Sequence, residues 1–360
     1  MRRCFLRLAL CLALLGCFAS EAFALSAKSA LVLDPLSGQV LFEQNADAPS
    51  LVASTTKILT ALVICRTCDL DETVQIPPEA VGVEGSSIYL KVGECLTVRE
   101  LLYGLLLSSG NDAAAALALH CAGSLEAFAE KMNACARELG MQSSHFVNPH
   151  GLDAEGHYST ARDLALLGAV AMEEPELRTI TATRSIRIGA RSLTNHNKLL
   201  WRSGEFVGVK TGYTRAAGRI LVSAAERAGR RLILVTISDP DDWNDHEALL
   251  RDAMAQFSET ELLPEDAGLG KLPLLSGRIL RLRATEDFRY PLLPGEQPLA
   301  LVRLKHLPWD EEGEAQVCFF LHGKQIGSAK ARVEVVNEEE TAKATFGIWP
   351  LLPTGSGEAD

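Results

Sequence analysis

The feature that most constrains this chain is a serine followed three positions later by a lysine, Ser54-x-x-Lys57, at the head of the apolar run 58–64. The pattern predicts a helix that opens at the serine, and positions i and i+3 of a helix share one face. A serine hydroxyl becomes an effective nucleophile when a neighbouring base takes its proton. Lysine can be that base only if burial, positive charges or the helix dipole lower its pKa. The alternative is that Ser54 caps the helix and Lys57 lies in solvent.

A second motif, Ser109-x-Asn111, follows a predicted helix whose start is marked by the capping-box spacing of Thr97 and Glu100. In an extended or loop backbone, residues i and i+2 point the same way. The Ser109 hydroxyl and the Asn111 amide can therefore converge on one cavity, where one relays a proton and the other holds a substrate carbonyl. The alternative is a helix-stop turn followed by a cap, which the sequence Ser-Gly-Asn forms readily.

A third motif, Lys210-Thr211-Gly212, is predicted at the end of a strand, ahead of two further strands near 220–224 and 231–237. The glycine allows another backbone to approach closely, and we expect that backbone to be the helix start at the first motif. The lysine and the threonine would then offer a charge and a hydroxyl to a substrate carboxylate. The alternative is an edge-strand lysine followed by a turn.

The three motifs together match the set found in penicillin-binding proteins and class A β-lactamases. The flanking residues resemble, more narrowly, the low-molecular-weight penicillin-binding proteins that are D-alanyl-D-alanine carboxypeptidases, peptidase family S11. The resemblance covers about residues 28–258 and is carried by Asp34-Pro35-Leu36-Ser37-Gly38, Ser109-Gly110-Asn111-Asp112-Ala113, Asn148-Pro149-His150-Gly151-Leu152, His157-Tyr158-Ser159-Thr160-Ala161, Asn195-His196-Asn197-Lys198 and Lys210-Thr211-Gly212-Tyr213-Thr214.

Two positions depart from the family pattern. Val52 stands where the family usually has a proline, and His196 falls near an arginine that helps some members hold the substrate carboxylate. Recognition of that carboxylate here therefore rests more on Lys210 and Thr211.

The resemblance implies an α/β fold of the serine β-lactamase and penicillin-binding-protein-like transpeptidase type. Such a fold has an antiparallel sheet flanked by helices, with a helical insertion, and a small C-terminal all-β domain is expected here. The resemblance implies that Ser54 is the nucleophile, Lys57 the base and Ser109 a proton relay, and that Asn111 orients the peptide. It also implies an oxyanion hole formed by the backbone N–H groups of Ser54 and Tyr213. The residues implied around the substrate carboxylate are Lys210, Thr211, Gly212 and His196.

The implied substrate is the pentapeptide stem of peptidoglycan, with β-lactam antibiotics as covalent inhibitors and no metal or cofactor required. The net charge of −11 argues against nucleic acid as a partner. The alternatives are a β-lactamase, a D-alanyl-D-alanine endopeptidase and a catalytically inactive peptidoglycan-binding module. A β-lactamase needs a carboxylate that activates the deacylating water, and no Glu-x-x-Leu-Asn sequence lies between Asn111 and Lys210.

The first residues are predicted to be a secretory signal peptide, because arginines at 2, 3 and 7 precede the apolar run 8–18 and the A-x-A sequence Ala22-Phe23-Ala24. A lipid attached at Cys17 is the alternative. The protein is therefore expected outside the cytoplasm, on the cell-wall side of the membrane. The predicted organisation is a signal peptide (1–24), a carboxypeptidase catalytic domain (25–258), a linker (259–273), a C-terminal β-sandwich (274–337) and an acidic tail (338–360). Because the tail is acidic, we predict weak or absent membrane association.

Six cysteines follow the signal peptide, at positions 65, 68, 95, 121, 135 and 318. No second pair has the spacing of a zinc site, so we predict buried thiols, with a Cys65–Cys68 bridge as the main exception. His150 and His157 lack a partner cluster at metal-ligand spacing and are predicted to be structural.

Overall fold

The computed structural model describes residues 25–273, 278–304 and 313–336. The predicted signal peptide (1–24) and the predicted acidic tail (338–360) lie outside the described residues, so both stay predictions.

A five-stranded antiparallel sheet forms the centre of the larger part of the chain, in the order β2-β1-β9-β8-β7. The chain enters this sheet through a hairpin, in which β1 pairs with β2 around the turn at Pro35 to Gly38. The strands of this part are β1 (Ser29–Asp34), β2 (Gln39–Gln44), β3 (Thr73–Gln75), β4 (Cys95–Thr97), β5 (Ser185–Ile188), β6 (Arg191–Thr194), β7 (Phe206–Thr214), β8 (Gly218–Arg227) and β9 (Arg230–Ile237).

Helices cover both faces of this sheet, because its strands alternate apolar side chains between two cores. Leu31 and Leu33 belong to one core, whereas Val32 belongs to the other. The helices are α1 (Thr56–Thr67), α2 (Val98–Leu107), α3 (Asn111–Ala122), α4 (Leu125–Glu138), α5 (Ala161–Glu173), α6 (Pro175–Ala182), α7 (Leu199–Arg202) and α8 (Asp242–Met254). Helix α8 packs in the second core, and α1 to α6 contribute to the first.

Two helices of the insertion between β2 and β7 begin at residues that cap them, and the first of these caps is the capping box predicted at Thr97 and Glu100. Thr97 and Glu100 form the complete capping box of α2, and Ser124 accepts a hydrogen bond from the N–H of Ala127 at the start of α4. Every residue of helix α1 from Thr56 to Ile64 is buried, which agrees with its position inside the first core. The 3-10 turn before α1 packs on strand β7, and α3 packs on α1, so the start of α1 lies between the sheet and α3.

The C-terminal part is all-β, as predicted, and its strands enclose a core of their own. A five-stranded sheet in the order β11-β12-β16-β15-β14 and the two-stranded sheet β10-β13 share that core. The strands are β10 (Ser258–Leu263), β11 (Gly268–Pro273), β12 (Ile279–Ala284), β13 (Phe288–Leu292), β14 (Leu299–Leu304), β15 (Gly313–Leu321) and β16 (Lys324–Val336).

The prediction of an irregular linker at 259–273 is wrong, because these residues contribute strands β10 and β11 to the C-terminal sheets. The prolines and glycines that suggested a linker are compatible with a strand at a sheet edge, where a missing N–H costs no ladder bond. β11 is such an edge strand, and Pro273 is its last residue. The proposed limits of the domains otherwise stay predictions.

Candidate active site

The first motif lies where a tight 3-10 turn, Ala53–Thr55, leads into helix α1. The helix therefore begins at Thr56, two residues later than the sequence predicted. Ser54 is inside the turn, and neither Val52 nor Thr55 provides a side-chain cap for the elements that begin there. The Ser54 hydroxyl is thus not engaged in capping, and the alternative interpretation of the motif does not hold.

Lys57, in the first turn of α1, is completely buried and directs its amine at three oxygen atoms. Its Nζ lies 2.9 Å from Oγ of Ser54, 2.7 Å from Oδ1 of Asn111 and 2.5 Å from the carbonyl oxygen of His150. A neutral amine has two N–H groups and one lone pair. The amide oxygen and the carbonyl oxygen can accept the two N–H groups, which leaves the lone pair facing the serine hydroxyl.

Electrostatics favour that neutral amine. Burial lowers the pKa of Lys57 well below its usual range, and the charge of Lys210 lowers it further, against an opposing effect of Asp112. Burial also lowers the pKa of Lys210 to about 7. The amines of Lys57 and Lys210 thus share one cleft. Burial and the neighbouring positive charge both lower the pKa of Lys57, the amine beside the Ser54 hydroxyl.

The second motif is divided between a loop and a helix. Asn111 is the first residue of α3, and its side chain bridges Lys57 to the carbonyl of Glu84, while its own N–H donates to the carbonyl of Ser86 at 2.7 Å. Ser109 is buried with a left-handed φ of 60°. Its hydroxyl makes no hydrogen bond among the described residues. Asn111 therefore hydrogen-bonds directly to Lys57, and Ser109 does not.

The third motif lies inside strand β7, which continues to Thr214, and not at the end of a strand as predicted. The strand extends because Lys210 to Thr214 keep pairing with β8 up to the turn before Gly218. Lys210 is buried and donates to the carbonyl of Thr211 at 2.9 Å, whereas the Tyr213 side chain is 65% exposed at the rim.

The close approach predicted at Gly212 is confirmed. A Cβ atom placed on this glycine would lie 3.2 Å from both the backbone nitrogen of Thr55 and the carbonyl oxygen of Val52. Strand β7 therefore lies directly against the turn that holds Ser54. This contact brings the first and third motifs together in one cleft.

The turn Asn148-Pro149-His150-Gly151 supplies a contact that the sequence did not reveal. Oδ1 of Asn148 accepts hydrogen bonds from the N–H groups of His150 and Gly151, which holds the His150 carbonyl toward Lys57. Gly151 has a φ of +83°, and an added Cβ would lie 1.8 Å from the carbonyl oxygen of Ala53. The Asn-Pro-His-Gly turn signal was visible, but its contact with Lys57 was not.

Asp112 is a second supporting residue that sequence reasoning passed over. Its carboxylate accepts hydrogen bonds from the Ser87 hydroxyl and from the N–H groups of Ile88 and Leu90. It therefore fixes the loop whose Glu84 carbonyl holds Asn111. The only sequence signal was its position next to the second motif.

The histidines near the cleft have different positions. Nε2 of His157 lies 2.8 Å from the Thr56 hydroxyl and its Nδ1 accepts from the N–H of Val147, so the predicted structural role is confirmed. Burial lowers the pKa of His150 to about 4 and, with the charge of Lys210, lowers the pKa of His196. The charge of Lys210 thus acts on the His196 imidazole and disfavours its protonation.

No group of three or more His, Cys, Asp or Glu side chains in the described part of the chain is arranged to hold a metal ion. The site consists instead of a hydroxyl, two amines, an amide and backbone groups, the components of acyl-transfer chemistry.

Comparison with known proteins agrees with this arrangement. The sequence profile of the family described as D-alanyl-D-alanine carboxypeptidase, peptidase family S11, matches residues 17–241, which is more than half of the chain. This chain belongs to peptidase family S11. The three motifs of the cleft all lie within the matched S11 region.

Curated S11 relatives extend the similarity. D-alanyl-D-alanine carboxypeptidase DacF of Bacillus subtilis is 34% identical over 265 residues, which cover 70% of this chain and 68% of the relative. D-alanyl-D-alanine carboxypeptidase DacD of Escherichia coli is 35% identical over 344 residues, which cover 91% of this chain and 85% of the relative. The second alignment spans the C-terminal strands as well as the catalytic part.

Solved structures support the fold of this S11 member. Penicillin-binding protein 5 from Haemophilus influenzae superimposes with a TM-score of 0.63 at 29% identity, over 86% of this chain and 98% of that structure. The Streptomyces K15 DD-transpeptidase superimposes with a TM-score of 0.62 at 32% identity, over 64% of this chain and 98% of that structure. The predicted transpeptidase-type fold is therefore confirmed.

Within the described residues of this S11 chain, no helix has the length and apolarity needed to cross a membrane.

Among the described cysteines of this S11 chain, all six are free thiols, so the Cys65–Cys68 bridge is not formed in the structure. Cys135 and Cys318 are buried as predicted. Cys95 is exposed, because it lies on the short surface strand β4, and the prediction of a buried thiol is wrong there.

Proposed function

We propose that the protein is a serine-type D-alanyl-D-alanine carboxypeptidase that removes the terminal D-alanine from peptidoglycan stem peptides through an acyl-enzyme on Ser54. The observation that carries this proposal is the 2.9 Å contact between the Ser54 hydroxyl and a Lys57 amine that is buried and has a depressed pKa. A buried neutral amine at hydrogen-bond distance is the base that a serine nucleophile requires.

Acylation begins when the lone pair of Lys57 takes the Ser54 proton and the serine oxygen attacks the carbonyl between the two D-alanines. The backbone N–H groups of Ser54 and Tyr213 stabilise the oxyanion, a role supported by the close packing of β7 on the 3-10 turn. The bond to the terminal D-alanine then breaks, and its amine nitrogen receives the proton. The balanced products are free D-alanine and an ester of Ser54.

Proton delivery to the leaving amine is assigned to Lys57, with Ser109 as the relay. Ser109 is buried two residues before Asn111, and its hydroxyl makes no hydrogen bond to any described residue, which leaves it available to bridge the amine and the leaving group. Asn111 holds the Lys57 amine through its Oδ1 and orients the peptide. Water then hydrolyses the ester, with Lys57 again acting as the base.

The terminal carboxylate of the substrate binds at Lys210 and Thr211, with His196 close by. A carboxylate beside Lys210 favours the charged amine and raises its pKa from the value of about 7 in the free protein. Substrate binding thus creates the ion pair that recognises it. β-Lactams present a similar carbonyl and carboxylate and are expected to acylate Ser54.

The decisive experiment is mass spectrometry of the intact protein and its peptides after treatment with benzylpenicillin. We expect one adduct, on the peptide that contains Ser54, together with release of D-alanine from a pentapeptide by untreated protein. Ser54→Ala should abolish both signals, whereas Ser258→Ala, an exposed serine in the C-terminal part, should change neither. An adduct on another residue would overturn the assignment.

The rate at which the penicillin adduct disappears separates this proposal from the β-lactamase alternative. We expect the adduct to last for minutes or longer, because the nearby Asp112 carboxylate is occupied by three hydrogen-bond donors of the 87–90 loop. Hydrolysis within milliseconds would instead indicate a β-lactamase. Cleavage of a cross-linked dimer without D-alanine release from a pentapeptide would indicate an endopeptidase.

Export to the cell-wall side of the membrane is part of the same proposal, since peptidoglycan stem peptides lie there. It rests on the leader-like residues 1–24. N-terminal sequencing of the secreted protein tests it, with Leu25 expected as the first residue.

A further inference from the structure

The two helices that carry Lys57 and Asn111 at their starts also carry a cysteine each at their ends. Cys68 directly follows the last residue of α1, and Cys121 is in the last turn of α3. The starts of these helices are joined by the 2.7 Å hydrogen bond from Lys57 to Asn111. The ends of the two helices also lie close together.

They meet at one hydroxyl group. Oγ1 of Thr67 lies 3.7 Å from the Sγ atom of Cys68 and 3.2 Å from the Sγ atom of Cys121. Both cysteines are partly exposed, so an oxidising partner can reach them. Because both sulfur atoms contact the same oxygen atom, they lie no more than 6.9 Å apart (3.7 Å plus 3.2 Å), so a disulfide of about 2.05 Å requires the two side chains to rotate toward each other.

We propose that Cys68 and Cys121 form a disulfide bond in the mature protein, where they join the ends of α1 and α3. The bond depends on the proposed export only for its oxidising environment.

The other cysteines are less well placed for this bond. Cys65 is one helical turn before Cys68, yet within the described residues its sulfur makes no hydrogen bond to the Thr67 hydroxyl that the sulfurs of Cys68 and Cys121 both contact. Cys135 is buried and contacts Arg66, and Cys318 is buried in the C-terminal sheets. Cys95 is exposed on β4. The geometry therefore favours Cys121 over Cys65 as the partner of Cys68.

The oxidation is a two-electron thiol–disulfide exchange with an extracytoplasmic dithiol oxidase that carries a reactive disulfide. The thiolate of one cysteine attacks that disulfide, forms a mixed disulfide and releases one oxidase thiol. The thiolate of the second cysteine then attacks the protein sulfur of the mixed disulfide and expels the second oxidase thiol. Two protein thiols are thus oxidised, and one oxidase disulfide is reduced to a dithiol.

The environment makes unassisted oxidation slow. Burial, together with the neighbouring Cys121 and Glu72, raises the pKa of the Cys68 thiol to about 11, against the opposing effect of the Thr67 hydroxyl. Few Cys68 thiolates are then present at neutral pH, which slows every route of oxidation, so the exchange requires the reactive disulfide of an oxidase, whose thiol leaves readily. Once formed, the disulfide removes these thiols from further reaction.

The bond would restrain the segment 68–121, which contains the loop that positions Asn111 through Glu84 and Ser86. A disulfide that closes such a segment stabilises the fold mainly by restricting the unfolded chain. We expect a Tm that is roughly 5–15 °C higher for the oxidised protein than for the reduced protein.

The test uses the full chain exported through its own leader and quenched in N-ethylmaleimide under denaturing conditions without reductant. Peptide mapping by mass spectrometry is expected to find a peptide pair linked through Cys68 and Cys121, with Cys65 alkylated. A Cys65–Cys68 link, or alkylation of both Cys68 and Cys121, would overturn the proposal.

Thermal unfolding of variants provides the second measurement. Cys68→Ser and Cys121→Ser should each lose the change in Tm that a reductant produces in the parent protein, whereas Cys65→Ser, the matched control, should keep it. Equal Tm values for the parent protein with and without reductant would contradict the proposed bond. Penicillin labelling of Ser54, measured in parallel, is expected to persist after reduction, so failure of the disulfide proposal would leave the proposed function intact.

Discussion

At the scale of single residues, the proposed chemistry depends on two buried lysines. Lys57 and Lys210 are both nearly inaccessible to solvent, and in each case burial is the largest cause of a lowered pKa. Their surroundings differ, because Lys57 faces the Ser54 hydroxyl while Lys210 donates to the carbonyl of the next residue. These surroundings agree with the proposed roles, in which the Lys57 amine accepts the Ser54 proton and the Lys210 amine binds the substrate carboxylate.

Replacing the base is the first test at this scale. Lys57→Arg keeps a positive charge and a similar length, but a guanidinium does not lose its proton in proteins. We expect penicillin acylation and D-alanine release to fall by on the order of 10³-fold or more, because the serine loses its general base. Lys131→Arg, an exposed lysine on α4, is the control and should keep full activity. Acylation by the Lys57 variant at near-parental rates would exclude a role as base.

The pH dependence of activity tests Lys210. Its pKa of about 7 predicts that kcat/KM for a substrate with a terminal carboxylate declines above about pH 7, as the free protein loses the charge that binds the carboxylate. Lys210→Arg stays charged and should remove this decline while retaining measurable activity. A variant whose kcat/KM still declines above pH 7 would show that another group is responsible.

The same lysine should make stability depend on pH. Its folded-state pKa of about 7 is below its ordinary value of 10.5, so between these values the unfolded chain binds more protons than the folded protein. The free energy of unfolding should therefore rise with pH across that window, by up to about 1.4 kcal/mol per pH unit from this group. Lys210→Met should flatten that rise and increase the Tm near pH 7 while abolishing carboxylate binding. Urea unfolding at several pH values would reveal an unchanged slope if the assignment is wrong.

At the scale of secondary-structure elements, the site depends on the turn 148–151, which packs against the 3-10 turn that contains Ser54. Gly151 follows the His150 carbonyl that contacts Lys57, and its backbone lies against the carbonyl of Ala53 in the 3-10 turn. Both the left-handed φ of +83° and the missing side chain are needed there.

A pair of glycine substitutions separates these two requirements. Gly151→Ala meets a left-handed φ and a 1.8 Å clash with the Ala53 carbonyl, so we expect a loss of about 3 kcal/mol in stability and a large loss of acylation rate. Gly156→Ala has a similar φ of +78°, but its nearest atom would be 3.6 Å away, so only about 1 kcal/mol should be lost. Urea unfolding and penicillin acylation measure both effects. Equal losses in the two variants would mean that the clash is relieved at no cost.

At the scale of the whole molecule, one buried arginine connects the catalytic part to the C-terminal strands. Arg230, the first residue of β9, forms ion pairs with Asp34 at the end of β1 and with Glu296 of the C-terminal part, the latter at 2.6 Å. All three side chains are almost inaccessible to solvent. The guanidinium also lies over the ring of Phe257 at 4.8 Å.

Removal of this arginine should weaken the connection between the two parts. Arg230→Met leaves the buried Asp34 carboxylate without a cation and leaves Glu296 with the His322 imidazole at 3.2 Å as its ionisable partner, for which we expect a loss of about 3–5 kcal/mol in stability. Arg289→Met removes an arginine that pairs with Glu261 and Asp287 at the surface, and should cost no more than about 1 kcal/mol. Urea unfolding followed by fluorescence measures both variants. A loss for Arg230→Met as small as that of the surface variant would show that the buried network is replaceable.

Much of the fold followed from local signals in the sequence. The Thr97 capping box and the strands near 220–224 and 231–237 appear where the pattern predicted them, because each depends on residues a few positions apart. The strands at 259–273 were missed, because the prolines and glycines of this segment are compatible with a sheet edge as well as with a linker, and because β10 pairs with β13 and not with the next strand of the chain.

The sequence by itself determined the chemical groups of the site, since Ser54 and Lys57 are one helical turn apart and local geometry alone brings them together. Only the tertiary structure decided that Lys57 is buried, that Asn111 and the His150 carbonyl hold its amine, and that Lys210 lies close enough to lower its pKa. Burial and the approach of distant charges are properties of packing between elements, and these properties lower the pKa of Lys57, on which its proposed role as a base depends.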